Sequence, residues 1–201
     1  MRRKSAEDRK AEIVDACLVL AYRLGPDRMT TGDVAREVGL TQAGIFRHFA
    51  SKQALWQAVA EAITVRLTAA WDRALASDAP AEARLRALIG AQFDQISAMP
   101  AMPAILFSRE LNVDNHALRE AIRACLMSFQ AHVVALLEQM RRDGRLRPGL
   151  APEDAAVFLI SLIQGLAIRW SLGARSFPLT EEGARLLDQM LALMHEPEDG
   201  G

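Results

Sequence analysis

An all-α fold is predicted for this chain of 201 residues, and three observations predict it. Ala, Leu, Arg, Glu and Met dominate, while Tyr occurs once and Val-Thr runs are scarce; this is the residue usage of helices rather than strands. Eight prolines, at 26, 80, 100, 103, 148, 152, 178 and 197, divide the chain into long stretches. Within those stretches apolar residues recur every three or four positions, with no strand-like alternation.

Hydrophobic residues make up 51% and charged residues 24%, enough to bury a core and stay in solution. Lys plus Arg number 24 against 25 Asp plus Glu, which excludes a chain-wide polycation but leaves room for a local basic patch. Cys17 and Cys125 stand far apart in apolar surroundings, so the pattern implies no disulfide framework and fits a reducing compartment. Met1 to Lys10 is charged and lacks the apolar core of a signal peptide. The longest charge-free apolar stretch, Ala155 to Ile168, is too short to span a bilayer and reads as a buried helix. A cytoplasmic protein with no membrane partner is expected.

The first helix is predicted from about Ala6 to Leu24. Ser5 with Asp8 forms a capping pair, and Ile13, Cys17, Leu20 and Leu24 form one buried stripe. Gly25-Pro26 ends it. Thr30 with Asp33 opens a second, short helix whose apolar face is Val34, Ala35 and Val38. Gly39 stops it, and Thr41 caps a third from about Gln42 to His48. Two short helices joined by a tight glycine turn are the sequence form of a helix-turn-helix. Ser51 caps a long fourth helix carrying Leu55, Val59, Ile63 and Leu67 at intervals of four. Further helices are predicted over about 80–98, a short one to about 111 after the Pro100–Pro103 break, 114–142, 152–172 and 180–195. The expected division is a DNA-binding head over residues 1–50 and a helical regulatory and dimerisation domain over residues 51–201. Residues 1–55 carry an excess of Lys and Arg and the remainder an excess of Asp and Glu, so the helix-turn-helix lies in the positive half.

The segment Thr30 to Leu55 resembles the tetracycline-repressor (TetR) family. The resemblance is carried by Thr30, Val34-Ala35, Gly39-Leu40-Thr41, Phe46-Arg47-His48-Phe49, Ser51-Lys52 and Leu55. The residues have physical reasons of their own. Thr30 and Thr41 cap helix N-termini, whose free N–H groups also attract phosphate. Val34, Ala35, Leu40, Ile45 and Phe49 pack the head. Lys52 in the first turn of a helix opposes the helix dipole, which suggests an anion nearby. The resemblance implies that this anion is a DNA phosphate, with His48 beside it. It implies a recognition surface of Thr41, Gln42, Ala43, Gly44 and Arg47, with Thr30 and Phe46 at its edge. The family usually has Tyr where Phe46 stands, and Phe46 lacks the hydroxyl. Gly44 offers no side chain, so base reading leans on Gln42, suited to adenine, and Arg47, suited to guanine. The arm Arg2-Arg3-Lys4 is either a solvated tail or a minor-groove arm.

Phe93, Ile96, Met99, Met102, Phe107, Met127, Phe129 and Gln130 are the expected lining of a pocket for a small apolar effector, largely because the resemblance implies one. Gln92, Glu110, Gln164 and Arg169 are further polar candidates to orient it. The helix over 155–172 is apolar on nearly all sides, so one side needs a partner. Leu162, Ile163 and Leu166, with Leu187, Met190 and Leu191 of the last helix, are the expected homodimer seam. His116, His132, Glu110 and Cys125 match no compact ligand spacing, and no convergent set of titratable groups is visible. No metal, cofactor or catalytic residue is therefore expected. The implied function is a ligand-responsive regulator, a repressor released from a near-palindromic double-stranded operator. An architectural or partner-regulated DNA-binding protein is the alternative.

Overall fold

The computed structural model describes residues 5–108, 111, 113 and 115–195. The arm Arg2-Arg3-Lys4, Glu110 and Asp114 lie outside the described residues. Nine helices are defined among the described residues: α1 Ala6–Leu24, α2 Thr31–Glu37, α3 Gln42–Phe46, α4 Lys52–Leu75, α5 Ala81–Ala98, α6 Met102–Phe107, α7 His116–Arg142, α8 Pro152–Leu172 and α9 Leu179–Met194. No strand occurs among them. The fold is all-α.

The helices start and stop where local chemistry directs. Ser5 and Asp8 form a reciprocal capping box on α1, and Thr30 and Asp33 form another on α2. Pro152 occupies the first turn of α8, where its missing N–H costs nothing. Gly144, at φ +69°, follows the end of α7. At the start of α7 the side-chain oxygen of buried Asn115 accepts from the Leu118 backbone N–H at 3.1 Å, so Asn115 is the N-cap of this helix.

Two compact units emerge, each with its own core. The first comprises Met1–Arg66 and Met99–Ala124. In it α1 packs on α2 and on α6, and α2 packs on α3. Its buried side chains include Ile13, Cys17, Val34, Ile45, Leu55, Trp56, Met102 and Ile105. The second comprises Leu67–Ala98 and Cys125–Gly201. There α9 packs on α5 and α8, burying Leu85, Leu88, Ile89, Phe93, Leu159, Ile163, Leu187 and Leu191. The division at residue 50 expected from the motif is not where the units divide. The apolar side of α6 returns to α1, and α4 and α7 each run on past the end of the first unit.

Helices α7 and α8 are long and apolar enough to cross a membrane by length and composition. In the second unit α8 turns Leu159, Ile163, Leu166 and Trp170 into the protein core. Glu82, at the start of α5, joins three elements of this unit. Its carboxylate lies 2.9 Å from Arg86, 3.0 Å from Arg145 in the α7–α8 connection and 3.2 Å from His195 beyond α9. Arg86 also pairs with Asp188 of α9.

Gly183 of α9 lies directly against the ring of Phe93 of α5. A Cβ built there would sit 2.5 Å from Cε2 of Phe93 and 2.6 Å from its Cδ2. Phe93 is 1% exposed, so its ring has little room to withdraw. Gly183→Ala is expected to destabilise the protein by about 1–3 kcal/mol through overpacking, measured by urea unfolding. Adding Phe93→Leu should cost less in the Gly183→Ala background than in the parent, because the two side chains share one space.

Candidate nucleic-acid interface

The interface is built on the α2–turn–α3 unit. Thr30 accepts the Asp33 backbone N–H at 3.1 Å and donates its hydroxyl to Oδ2 of Asp33 at 2.6 Å. The hydroxyl of Thr30 first, and then its backbone N–H, which donates to the same carboxylate oxygen at 3.0 Å, hold the Asp33 carboxyl below the ordinary aspartate range. The box thus uses the hydroxyl proton of Thr30. Its role is to start α2.

Gly39 turns the chain at φ +66°, a conformation that glycine adopts at no steric cost. The Leu40 N–H then reaches back to the Ala35 carbonyl at 2.8 Å, closing the end of α2. Thr41 caps α3 by accepting the Gly44 N–H at 3.0 Å. That bond uses an oxygen lone pair and not the hydroxyl proton, so Thr41 keeps a donor for a phosphate.

α3 spans five residues, and Arg47 continues it in helical conformation. Ile45, fully buried, and Phe49, 6% exposed, pin it to the first unit. Gln42, Ala43, Phe46 and Arg47 face outward, and Gly44 and His48 are half-buried. The helix is therefore one sided: its apolar residues hold it, and its outward residues are the ones the motif assigns to DNA. The exposed ring of Phe46 places a carbon edge where the resemblance implies a tyrosine hydroxyl.

Ser51 caps α4 by accepting the Ala54 N–H at 3.0 Å. Lys52 is exposed at the first position of that helix, whose first turn holds no acidic residue. Arg36 and Arg23 are engaged with Asp33 and Glu37, at 3.1 and 3.6 Å. Arg47 and Lys52 have no ion-pair partner among the described residues. A free cation on an exposed helix end is what a phosphate backbone requires. Arg28 is a further exposed cation, two residues before Thr30, which the motif alone did not single out.

One contact was invisible in the sequence. Nε2 of Gln42 donates to Oγ1 of Thr31 at 2.8 Å, joining the start of α3 to the start of α2. The two residues are eleven apart and on different helices, so no helical spacing links them.

The residues expected to line an effector pocket fall in both units. Phe93, Ile96 and Phe129 are buried in the second unit, but Met99, Met102 and Phe107 belong to the first. Met127 is 56% exposed and Gln130 is exposed. The outward side of α7 carries both, a feature that its apolar content obscured. What the second unit does collect is a mixed cluster. Trp71 Nε1 donates to Gln92 Oε1 at 2.8 Å, and the Trp71 ring lies 5.1 Å from Phe129 and 6.3 Å from His132.

Ile163, Leu166, Leu187 and Leu191 are buried within the chain itself, while Leu162 and Met190 are half-buried. Val157, Phe158, Ile168 and Leu172 of α8 and Leu193 of α9 are exposed instead. Burial pushes the Cys17 thiol up to about 12, so it stays protonated and unreactive at neutral pH.

Comparison with known proteins agrees with this geometry. Residues 13–59 match the family model of bacterial regulatory proteins of the tetR family, and residues 80–195 match that of the BetI-type transcriptional repressor C-terminal domain. The HTH-type transcriptional regulator BetI of Burkholderia mallei is 32% identical over 195 residues, covering 92% of this chain and 95% of that protein. Nucleoid occlusion factor SlmA of Marinomonas is 24% identical, covering 79% of this chain and 80% of that one. Among solved structures, the ketosteroid regulator KstR2 of Mycobacterium tuberculosis shares the fold with a TM-score of 0.79 at 19% identity, over 97% of both chains. The chain belongs to the tetR family of bacterial regulatory proteins and is a DNA-binding transcriptional regulator.

Proposed function

We propose that this regulator is a homodimeric repressor that sets two copies of α3 into successive major grooves of a near-palindromic operator and leaves it when a small molecule binds the second unit. The observation that carries the reading is the outward set Thr41, Gln42, Arg47 and Lys52, whose two cations have no acidic partner among the described residues. Lys52 and the Thr41 hydroxyl fix the head on phosphates; Gln42 and Arg47 read bases. Work on DNA puts the protein in the cytoplasm, and it assigns the chain no catalytic step.

A two-fold operator needs a two-fold protein, with half-sites one helical turn, roughly 34–36 Å, apart or a multiple of it. The exposed apolar side of α8 supplies the seam. Val157, Ser161, Gly165, Ile168 and Leu172 recur along one side, Phe158 adjoins them, and nothing lies within 4 Å of where a Gly165 side chain would start. A second α8 can approach closely there. For the effector, the cluster of Trp71, Gln92, Phe129 and His132 combines apolar surface with two polar groups able to orient a ligand. A ligand that fits one head spacing better than the other shifts the population toward it.

The relatives named as nucleoid occlusion factors favour a second reading, a DNA-binding protein with no small-molecule effector. Operator release measured against a broad panel of apolar and mixed-polarity small molecules separates the two. Release by at least one compound, abolished by Gln92→Leu with DNA affinity intact, is the expected outcome. No release across the panel would favour the second reading.

DNA binding itself is tested by salt titration. Lys52→Ala should weaken all sequences about equally and reduce the salt slope by about one phosphate's worth. Arg47→Ala should cost roughly 1–3 kcal/mol on the best site and relax preference at one base pair. Equal weakening of every operator variant by Arg47→Ala would make it a phosphate contact. For the seam, Phe158→Glu and Ile168→Glu should each give a monomer by sedimentation with the helical signal retained, since both side chains are exposed in the single chain. A dimer surviving both changes would move the interface to another face.

A further inference from the structure

We infer that Thr31 is a specificity-determining positioning residue, which holds the carboxamide of Gln42 in the orientation that reads a base. The inference rests on the reading of α3 as the recognition helix and deepens it. Thr31 is the first residue of α2 and is 8% exposed, whereas Gln42 is exposed at the first position of α3. The 2.8 Å bond from Gln42 Nε2 to Thr31 Oγ1 is therefore anchored at its buried end and free at its working end.

The chemistry follows from the shape of the amide. Adenine in the major groove offers a donor, its N6 amino group, beside an acceptor, N7. A glutamine meets both with Oε1 and the one N–H that lies on the same side as Oε1. The second N–H points away from that edge and is spare. Giving a hydrogen of Nε2 to Thr31 still leaves the amide an oxygen and a further N–H, enough for a two-pronged contact. An untethered glutamine must find its plane unaided, because its terminal torsion is broad and has two nearly equivalent senses. Three side-chain torsions must also be frozen when an exposed glutamine meets a base. Tethering Nε2 to a side chain that is itself fixed by burial meets part of that cost before DNA arrives.

Neighbouring residues give Thr31 this task by default. Ala43 and Gly44 have no polar side chain, and the side-chain oxygens of Thr30 and Thr41 already accept the cap N–H groups of Asp33 and Gly44. Thr31 is buried, so it acts through Gln42 and not by touching DNA. It is a positioning residue.

The test uses the full-length protein and operators obtained by selection from randomised duplex DNA, followed by every single base-pair variant of the selected site. Parent, Gln42→Ala, Thr31→Val and Thr31→Ser are compared. Gln42→Ala is expected to lose its preference at one base pair of each half-site. Thr31→Val, which keeps the shape and removes the acceptor, should lower the preference at that same base pair about three- to tenfold, the scale of one ordinary hydrogen bond. Its salt slope and its affinity for unselected DNA should match the parent. Thr31→Ser should restore the preference. In the free protein, exchange of the Gln42 side-chain amide protons should be slower in the parent than in Thr31→Val. Uniform weakening by Thr31→Val at all base pairs, no change at the Gln42 base pair, or equal amide exchange in both would overturn the positioning role alone. If Gln42→Ala changes no base preference, the recognition role of Gln42 falls and the inference falls with it.

Discussion

The left-handed turn at Gly39 is the constraint from which the functional end of the molecule is laid out. A φ of +66° is open to glycine without strain and unfavourable for nearly every other residue. It lets the Leu40 N–H close on the Ala35 carbonyl and brings Thr41 into place as the next cap two residues after Gly39. A wider turn would leave backbone donors at the start of α3 unsatisfied and would loosen its direction. With the turn fixed, Ile45 and Phe49 bind α3 to the core and its outward side follows without further choice.

The hydroxyls around this turn divide the work between making the helices and meeting the ligand. Thr30 is closed upon Asp33, and the lowered pKa of that carboxyl reflects how fully the box is satisfied. Thr41 caps and retains a proton. Cations divide in the same way. Arg36 and Arg23 are held by acidic neighbours, while Arg47 and Lys52 are left to solvent. The net charge of the chain, −1, conceals this arrangement, because DNA binding depends on local unpaired charge and not on the sum.

What the sequence made legible was what is local. The boxes Ser5-Asp8 and Thr30-Asp33 lie three residues apart, so the residues that make the bond can be read side by side. Helix ends at Gly25, Gly39 and Gly144 were legible for the same reason. Contacts between elements were not. Gln42 with Thr31, Trp71 with Gln92, and Phe93 against Gly183 join residues that no periodicity relates. The seam turns on a related point. A helix that is apolar on every side announces two buried surfaces but does not say which is the core. Ile163 and Leu166 went inward, and Val157 and Phe158 were left outside. Helix α7 is likewise two sided, with Phe129 facing in and Met127 facing out two positions away.

Specificity in so short a recognition helix has few places to reside. α3 has five residues, of which Ile45 is buried, Ala43 and Gly44 carry no hydrogen-bonding side chain, and Phe46 presents only a ring. That leaves Gln42, with Arg47 just beyond the helix end, as the groups able to tell one base pair from another. They are unequal. Arg47 is a rigid fork with a fixed preference for guanine, whereas a glutamine amide can pair in several senses and gains selectivity only when its orientation is restricted. The hydrogen bond to Thr31 supplies that restriction from a buried site on the preceding helix. The turn at Gly39 thus does more than aim α3: by setting the start of one helix beside the start of the other, it places the one side chain that can steady Gln42 within 2.8 Å of it.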